Sequence, residues 1–262
     1  MSIRLQPLEA TPDAFKGIAP NPERFPEDPV AFSDSLSHSL DAWRADGFRV
    51  VWLRIPVSKA DLVPVAVKKG FSFHHAEEGY LQLTIKLVDD AYVPNHATHY
   101  IGVGGVVLSQ ARELLVVSER YRRRGGGPAY KLPGGALQPG EHLVDAVVRE
   151  VLEETGVKTE FEALVCFRHW HGYRFGKSDI YFVCRLSPLS LEITAQESEI
   201  AECLWMPVAD FLGNEDISPF NKRIVSVALD HPGVVPSVMD GYGAPDRYEF
   251  FMPGEPGRQP LL

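Results

Sequence analysis

Three carboxylates, Glu150, Glu153 and Glu154, stand at i, i+3 and i+4 within LVDAVVREVLEET, a spacing that gathers them on one side of a helix. Without a counter-charge they would repel one another. Hard divalent cations prefer carboxylate oxygens, and Mg²⁺ commonly binds through a few carboxylates together with phosphate oxygens of a substrate. The glycines just upstream, Gly134 and Gly135, permit tight backbone turns that could bring a carbonyl to such an ion. Arg149 can pair with Glu153 at i+4 or orient a neighbouring carboxylate. A glycine loop next to an acidic helix is what phosphoryl chemistry would use. The alternative for an isolated EVLEE string is a solvated helix face, and only the longer pattern argues against it.

That pattern runs Gly135, five residues, Glu141, seven residues, then Arg149-Glu150-Val151-Leu152-Glu153-Glu154-Thr155-Gly156-Val157. It resembles the signature of the Nudix hydrolase family, GX5EX7REUXEEXGU, without a departure. The resemblance implies an α/β/α sandwich with a mixed sheet, in which a loop-helix-loop holds a divalent metal against a diphosphate. It implies metal ligation by Glu150, Glu153 and Glu154, assisted by the Gly135 carbonyl, with Arg149 orienting and Glu141 part of the motif. The implied cofactor is Mg²⁺, with Mn²⁺ as the alternative. Relatives often add a carboxylate from outside the helix, for which Glu199 in ESEIAECLW is the first candidate and Glu197 and Glu202 compete. The expected catalytic set is therefore Glu150, Glu153, Arg149 and Glu199. A second, looser resemblance covers residues 30–230, through VWLRIPVSKADLVPVAVKKGFSFHHAE and FGKSDIYFVCRLSPLSLEITAQESEIAECLWMP. It is to the subgroup with an extra N-terminal domain that includes plant ADP-ribose and NADH pyrophosphatases. The implied reaction splits the pyrophosphate of ADP-ribose or NADH and releases AMP. Dinucleoside polyphosphates, coenzyme A, capped RNA and a non-catalytic ligand sensor are the alternatives.

Arg120, Phe167 and Trp205 are candidate substrate contacts. Arg120 begins a basic loop with Arg122, Arg123 and Arg124 before Gly125 to Gly127, which could meet phosphate or form a solvated hairpin tip. Phe167, Trp170, Tyr173 and Phe175 could stack on a base, although core packing is the commoner use of such rings. His169 and His171 should share one face of a strand, and His74 and His75 should point to opposite faces. These histidines lack the ligand number and spacing of a zinc site.

The elements that must position the chemistry follow from periodicity. The helix over Leu143 to Thr155 buries Leu143, Val147 and Val151, widened by Val144, Val148 and Leu152, and Gly156 ends it. Strands are expected in IGVGGVVLS and LLVVSER, and at 163–170, 179–186 and 201–206, with a last helix at 219–229. Upstream, Phe32, Leu36, Leu40 and Trp43 mark a helix that Gly47 stops. A strand at 48–57, a helix at 58–69 kinked by Pro64, and strands at 71–75 and 80–87 complete a small α/β unit. The expected division is 1–95 for this N-terminal unit, 96–230 for the Nudix domain, and 231–262 for a mostly irregular Pro/Gly-rich tail. The first 30 residues read as an irregular lead-in, and Val88 to Thr98 as a linker.

Composition limits the partners. The 262 residues carry a formal net charge of -9, and a pI near 5.5 disfavours tight binding to a nucleic-acid backbone, so no DNA partner is expected. A small nucleotide is the expected substrate, and the N-terminal unit is a candidate for regulation or homodimer formation. Cys166, Cys184 and Cys203 show no pairing pattern, and neither a signal peptide nor a membrane span is evident, so a cytoplasmic location is expected.

Overall fold

The computed structural model describes residues 6–120 and 129–254. They form two compact units, the first ending at Thr98 and the second beginning at His99. In the first, β1 (Ala10–Pro12) and β2 (Gly17–Pro20) precede α1 (Pro29–Ala45), β3 (Val50–Pro56), α2 (Val63–Lys68), β4 (Ser72–Glu77) and β5 (Tyr80–Lys86). The sheet order is β1-β2-β3-β5-β4, with β2 and β3 parallel and the other pairs antiparallel.

α1 starts where the Asp28 carboxylate accepts the N–H of Ala31 at 2.8 Å, with Pro29 in the first turn, where a missing N–H leaves no bond unmade. Its stripe of Phe32, Leu36, Leu40 and Trp43 is buried against Val51, Leu53 and Ile55, the alternate residues of β3. Trp52 and Arg54 therefore face away from this core.

Three expectations are corrected here. The lead-in contains β1 and β2, because the Asp13 carboxylate accepts the N–H groups of Phe15 and Gly17 at 2.7 and 2.8 Å and closes a turn between them. The 58–69 segment is not one kinked helix but a 3-10 stretch over Val57–Leu62 followed by α2, with Pro64 in the first turn of α2. His74 and His75 do not point apart. The β4–β5 register slips between Phe73 and His75, which brings the two Nδ1 atoms to 2.7 Å. Residues 88–98 have no regular structure and are laced to the sheet's outer face. Asp90 pairs with Arg49 at 2.9 Å, the Pro94 carbonyl meets His74 Nε2 at 2.7 Å, and the His96 ring stacks on His75 at 4.4 Å.

The second unit contains β6 (His99–Val107), β7 (Glu113–Glu119), β8 (Gly134–Ala136), α3 (Leu143–Thr155), β9 (Thr159–Trp170), β10 (Ser178–Pro188), β11 (Ile200–Pro207), α4 (Val208–Gly213), α5 (Pro219–Asp230), β12 (Val234–Pro236) and β13 (Phe251–Pro253). A six-stranded mixed sheet runs β13-β12-β9-β10-β6-β8, and β7 pairs with β11 separately. Strand parity makes the layers. Val103, Val107, Leu115, Cys184 and Leu186 pack under α3, whereas the alternate residues Val106, Leu114, Val116 and Val183 pack with Phe211 of α4 and Ile224, Val225 and Ala228 of α5. The result is the α/β/α sandwich. Among the described residues the tail is mostly irregular, as expected, but two short strands tie it to the sheet: β12 bridges β9 at Leu164 and β13 pairs with β12. Arg185 holds that crossing by donating to the carbonyls of Ala228, His231 and Pro232 at 2.8 to 3.1 Å.

Candidate active site

α3 is fixed at both ends. At its start, the N–H groups of Leu143 and Val144 donate to the Glu249 carboxylate, the second at 3.0 Å, so an anion from 105 residues downstream meets the positive end of the helix dipole. At its end Gly156 takes a left-handed φ of 73° and donates to the Leu152 carbonyl at 2.8 Å. Leu143, Ala146, Val147 and Val151 are buried, and the leucine and each valine so removed from water contribute roughly 1.5–3 kcal/mol. Leu152, expected to widen this stripe, is 43% exposed, and Glu154 is buried in its stead.

The three helix carboxylates have different partners. Arg149 donates from Nη1 to Glu150 at 2.9 Å and to Glu153 at 3.0 Å. It also forks onto both oxygens of Glu141 and reaches the Ala136 carbonyl at 3.3 Å. Glu154 turns inward and accepts the Gly134 N–H at 2.9 Å. Burial pushes its carboxyl up to about 7, against the pull of Lys131 and the Gly134 N–H. Burial also raises Glu150, opposed by Arg149. The hydrogen bond from Arg149 draws Glu141 below the usual carboxylate range.

Gly135 lies against this cluster so closely that a Cβ there would sit 2.4 Å from Glu150 Oε2. The loop backbone and the carboxylate thus share a space that no side chain enters. Oxygen donors facing a bare backbone suit a hard divalent cation. β8 sets the loop by pairing with β6, Gly135 opposite Val103, and Lys131 holds its approach by exchanging two 2.9 Å backbone bonds with Val117.

Other expected residues are more scattered. Glu199 lies in the exposed turn after Gln196, whose N–H donates to the Glu154 carbonyl at 3.1 Å, and its own carbonyl accepts the Arg120 N–H at 2.7 Å. Its segment is thereby tied to the end of α3. Glu202 accepts from the Tyr130 hydroxyl at 2.9 Å. Arg122, Arg123, Arg124 and Gly125 to Gly127 lie outside the described residues. Phe167 is 64% exposed, and Trp170, Tyr173 and Phe175 are exposed beyond it, so these rings are not core. Trp205 is different: its ring packs under α3 and its indole N–H donates to the Leu191 carbonyl at 3.0 Å. That contact ties it to the loop before Glu199. His169 and His171 share a face, their rings 4.4 Å apart. Glu249 was not foreseen, because nothing local to it marks it as the partner of a distant helix.

Comparison with known proteins adds two domain matches. A model described as "Nudix hydrolase domain" matches residues 8–87, and one described as "NUDIX domain" matches residues 98–227. The chain is 43% identical to "Nudix hydrolase 8" of Arabidopsis thaliana over 84% of its own length and 61% of that protein's. It is 43% identical to "Nudix hydrolase 2" of the same plant over 78% of its length and 74% of the relative's. It is 36% identical to human "Nucleoside diphosphate-linked moiety X motif 6" over 85% of its length and 72% of the relative's.

Proposed function

This chain belongs to the Nudix hydrolase family and carries its pyrophosphohydrolase domain, and from that premise we propose that it hydrolyses ADP-ribose or NADH with release of AMP. The observation that carries the reading is the meeting of Gly135 with the Glu150 carboxylate, beside the Gly134–Glu154 bond. The name of the human relative, which specifies nucleoside diphosphate-linked moieties, supports the same substrate class.

Nudix hydrolases use a divalent metal; here Glu150, Glu153, Glu154 and the Gly135 carbonyl would hold it, Mg²⁺ in the first instance and Mn²⁺ as the alternative. When bound, the ion neutralises the diphosphate and favours ionisation of water. Water oxygen attacks one phosphorus, the bond from that phosphorus to the bridging oxygen breaks, and a glutamate takes the water proton. Glu150 is the candidate for that task within the helix, and Glu199 the candidate from outside it. Arg149 orients Glu150 and Glu153. ADP-ribose would yield AMP and ribose 5-phosphate; NADH would yield AMP and the reduced mononucleotide.

Residues 96–230 are the proposed catalytic domain and residues 1–95 the accessory one, with a homodimer as its candidate assembly. Arg120 is our candidate to meet phosphate, and Phe167, 64% exposed, our candidate to stack on a base. Cys166, Cys184 and Cys203 are free thiols, which fits a cytoplasmic location. No helix among the described residues is long and apolar enough to cross a membrane.

The test incubates purified protein with ADP-ribose or NADH, with Mg²⁺ or with chelator, and follows AMP by chromatography. Metal-dependent AMP from either substrate supports the proposal and ranks the two. AMP from neither removes both substrates, and a panel of dinucleoside polyphosphates, coenzyme A and capped RNA then separates another hydrolase from a non-catalytic sensor.

A further inference from the structure

We propose that the first unit carries a transition-metal site of its own, formed by His74, His75 and His96, at which a bound ion ties residues 88–98 to the sheet. One ligating nitrogen from each of the three rings lies within 4.8 Å of the others. The hydrogen bonds around them set the tautomers. His74 Nε2 is 2.7 Å from the Pro94 carbonyl, which can only accept, so Nε2 of the neutral ring carries the proton and Nδ1 presents a lone pair. That lone pair faces His75 Nδ1 at 2.7 Å. His75 Nε2 in turn is 3.3 Å from the Tyr80 hydroxyl, which can donate or accept.

Without metal, Tyr80 O–H donates to His75 Nε2, and His75 Nδ1–H donates to His74 Nδ1. With metal, the His75 proton resides on Nε2 and Tyr80 Oη accepts it, leaving both Nδ1 lone pairs for the ion. No proton is lost from either neutral ring. His74 and His75 then each have their outer nitrogen held by a hydrogen-bond acceptor, the usual support for metal-bound histidine. Two nitrogens on one tetrahedral ion stand about 3.3 Å apart, given bonds of about 2.0–2.1 Å, so the pair must open slightly on loading. His96, exposed on the linker and stacked on His75 with ring planes 9° apart, swings in as the third ligand. Trp52 packs edge-on against His74 at 5.3 Å and steadies that ring.

Neutral imidazoles select Zn²⁺, Co²⁺, Ni²⁺ or Cu²⁺ over Mg²⁺, so this site differs in kind from the carboxylates of α3. Its location also gives it a distinct consequence. His96 lies two residues before Thr98, where the first unit ends, so loading would fasten the segment that leads into the second unit.

The test titrates tag-free, chelator-stripped full-length protein with Co²⁺ and reads its visible absorption. The expected result is a set of intense bands, of a four- or five-coordinate nitrogen site, that saturates at one equivalent, whatever further Co²⁺ the α3 carboxylates take with weak bands. Those bands should persist in a Glu153→Gln/Glu154→Gln variant. His96→Asn, at an exposed position, should keep its unfolding midpoint in chelator yet bind Co²⁺ about 100-fold more weakly, a loss typical of disrupted metal shells. His74→Asn should weaken Co²⁺ binding to a similar degree. Zn²⁺ should also slow proteolysis within 88–98 in the parent but not in His96→Asn. Unchanged Co²⁺ affinity and spectrum in His96→Asn, or only the weak bands of six-coordinate oxygen ligation in the parent, overturns the site.

Discussion

Arg149 grips Glu141 with two nitrogens at once, Nε at 2.6 Å from Oε1 and Nη2 at 2.9 Å from Oε2. Such a fork fixes orientation as well as distance. Glu141 is thus a tether in this structure, anchoring the guanidinium whose remaining nitrogen reaches Glu150 and Glu153. It also receives the Gln138 N–H at 2.9 Å, which joins the loop before α3 to the same assembly.

Lysine cannot reproduce that fork. In Arg149→Lys, kcat for AMP release should fall by about 100-fold, the scale of a misplacement near 1 Å, with KM little changed. Steady-state kinetics on whichever substrate proves active provide the check, and near-parent kcat would mean that Arg149 positions nothing the reaction needs.

The close approach of Gly135 predicts a coupling. Gly135→Ala puts a methyl 2.4 Å from Glu150 Oε2; the carboxylate must swing aside and give up its bond from Arg149, so the change should destabilise the metal-free protein by about 1 kcal/mol. Combining it with Glu150→Ala should relieve most of that penalty, because the colliding group is gone. Urea unfolding of the double-mutant cycle measures the interaction, and strict additivity would place the clash elsewhere.

The raised carboxyl of Glu154 gives a pH dependence in metal-free protein. The unfolded group titrates near its model value of 4.5 and the folded one near about 7. Between those values the folded state holds the extra proton, so stability is fully present below 4.5 and declines as pH rises to about 7. The span corresponds to roughly 3 kcal/mol. In Glu154→Gln, which cannot ionise, this component should vanish. Subtracting the variant's unfolding free energies from the parent's in chelator isolates it, and parallel pH profiles would contradict the assignment. Saturating Mg²⁺ should offset the decline, since the ion binds the ionised carboxylate.

Glu249 should matter for stability more than for chemistry. Glu249→Ala removes the acceptor for two N–H groups at the start of α3 and should lower unfolding free energy by about 1 kcal/mol, as for other lost caps. Glu249→Gln keeps an acceptor oxygen without the charge, so it should lie between the parent and the alanine variant. Equal stability of all three would show that the contact contributes nothing.

The layers of the second unit were legible because IGVGGVV and LLVV are continuous apolar runs, as in strands covered on both faces, and α3 buries a regular stripe at Val147 and Val151. Glu154 was misread in part: three glutamates at helical spacing suggest one shared acidic face, yet the Gly134 N–H draws the last of them inward. Local patterns also hide what a register slip does. His74 and His75 adjoin in sequence, and only the irregularity after Phe73 turns both toward His96, which is supplied from the linker. Proline density around Pro12 and Pro20 masked β1 and β2, since a strand end tolerates proline that a strand interior would not. The Glu249 contact had no local signal at all.

That last contact bears on the order in which a growing chain can finish its active site. α3 is complete in sequence at Thr155, but the anion that satisfies its first turn arrives only with Glu249, on the segment between β12 and β13. During synthesis, the helix bearing Glu150, Glu153 and Glu154 therefore waits with two bare N–H groups until some hundred further residues have left the ribosome. The Nudix signature is translated early and locked late.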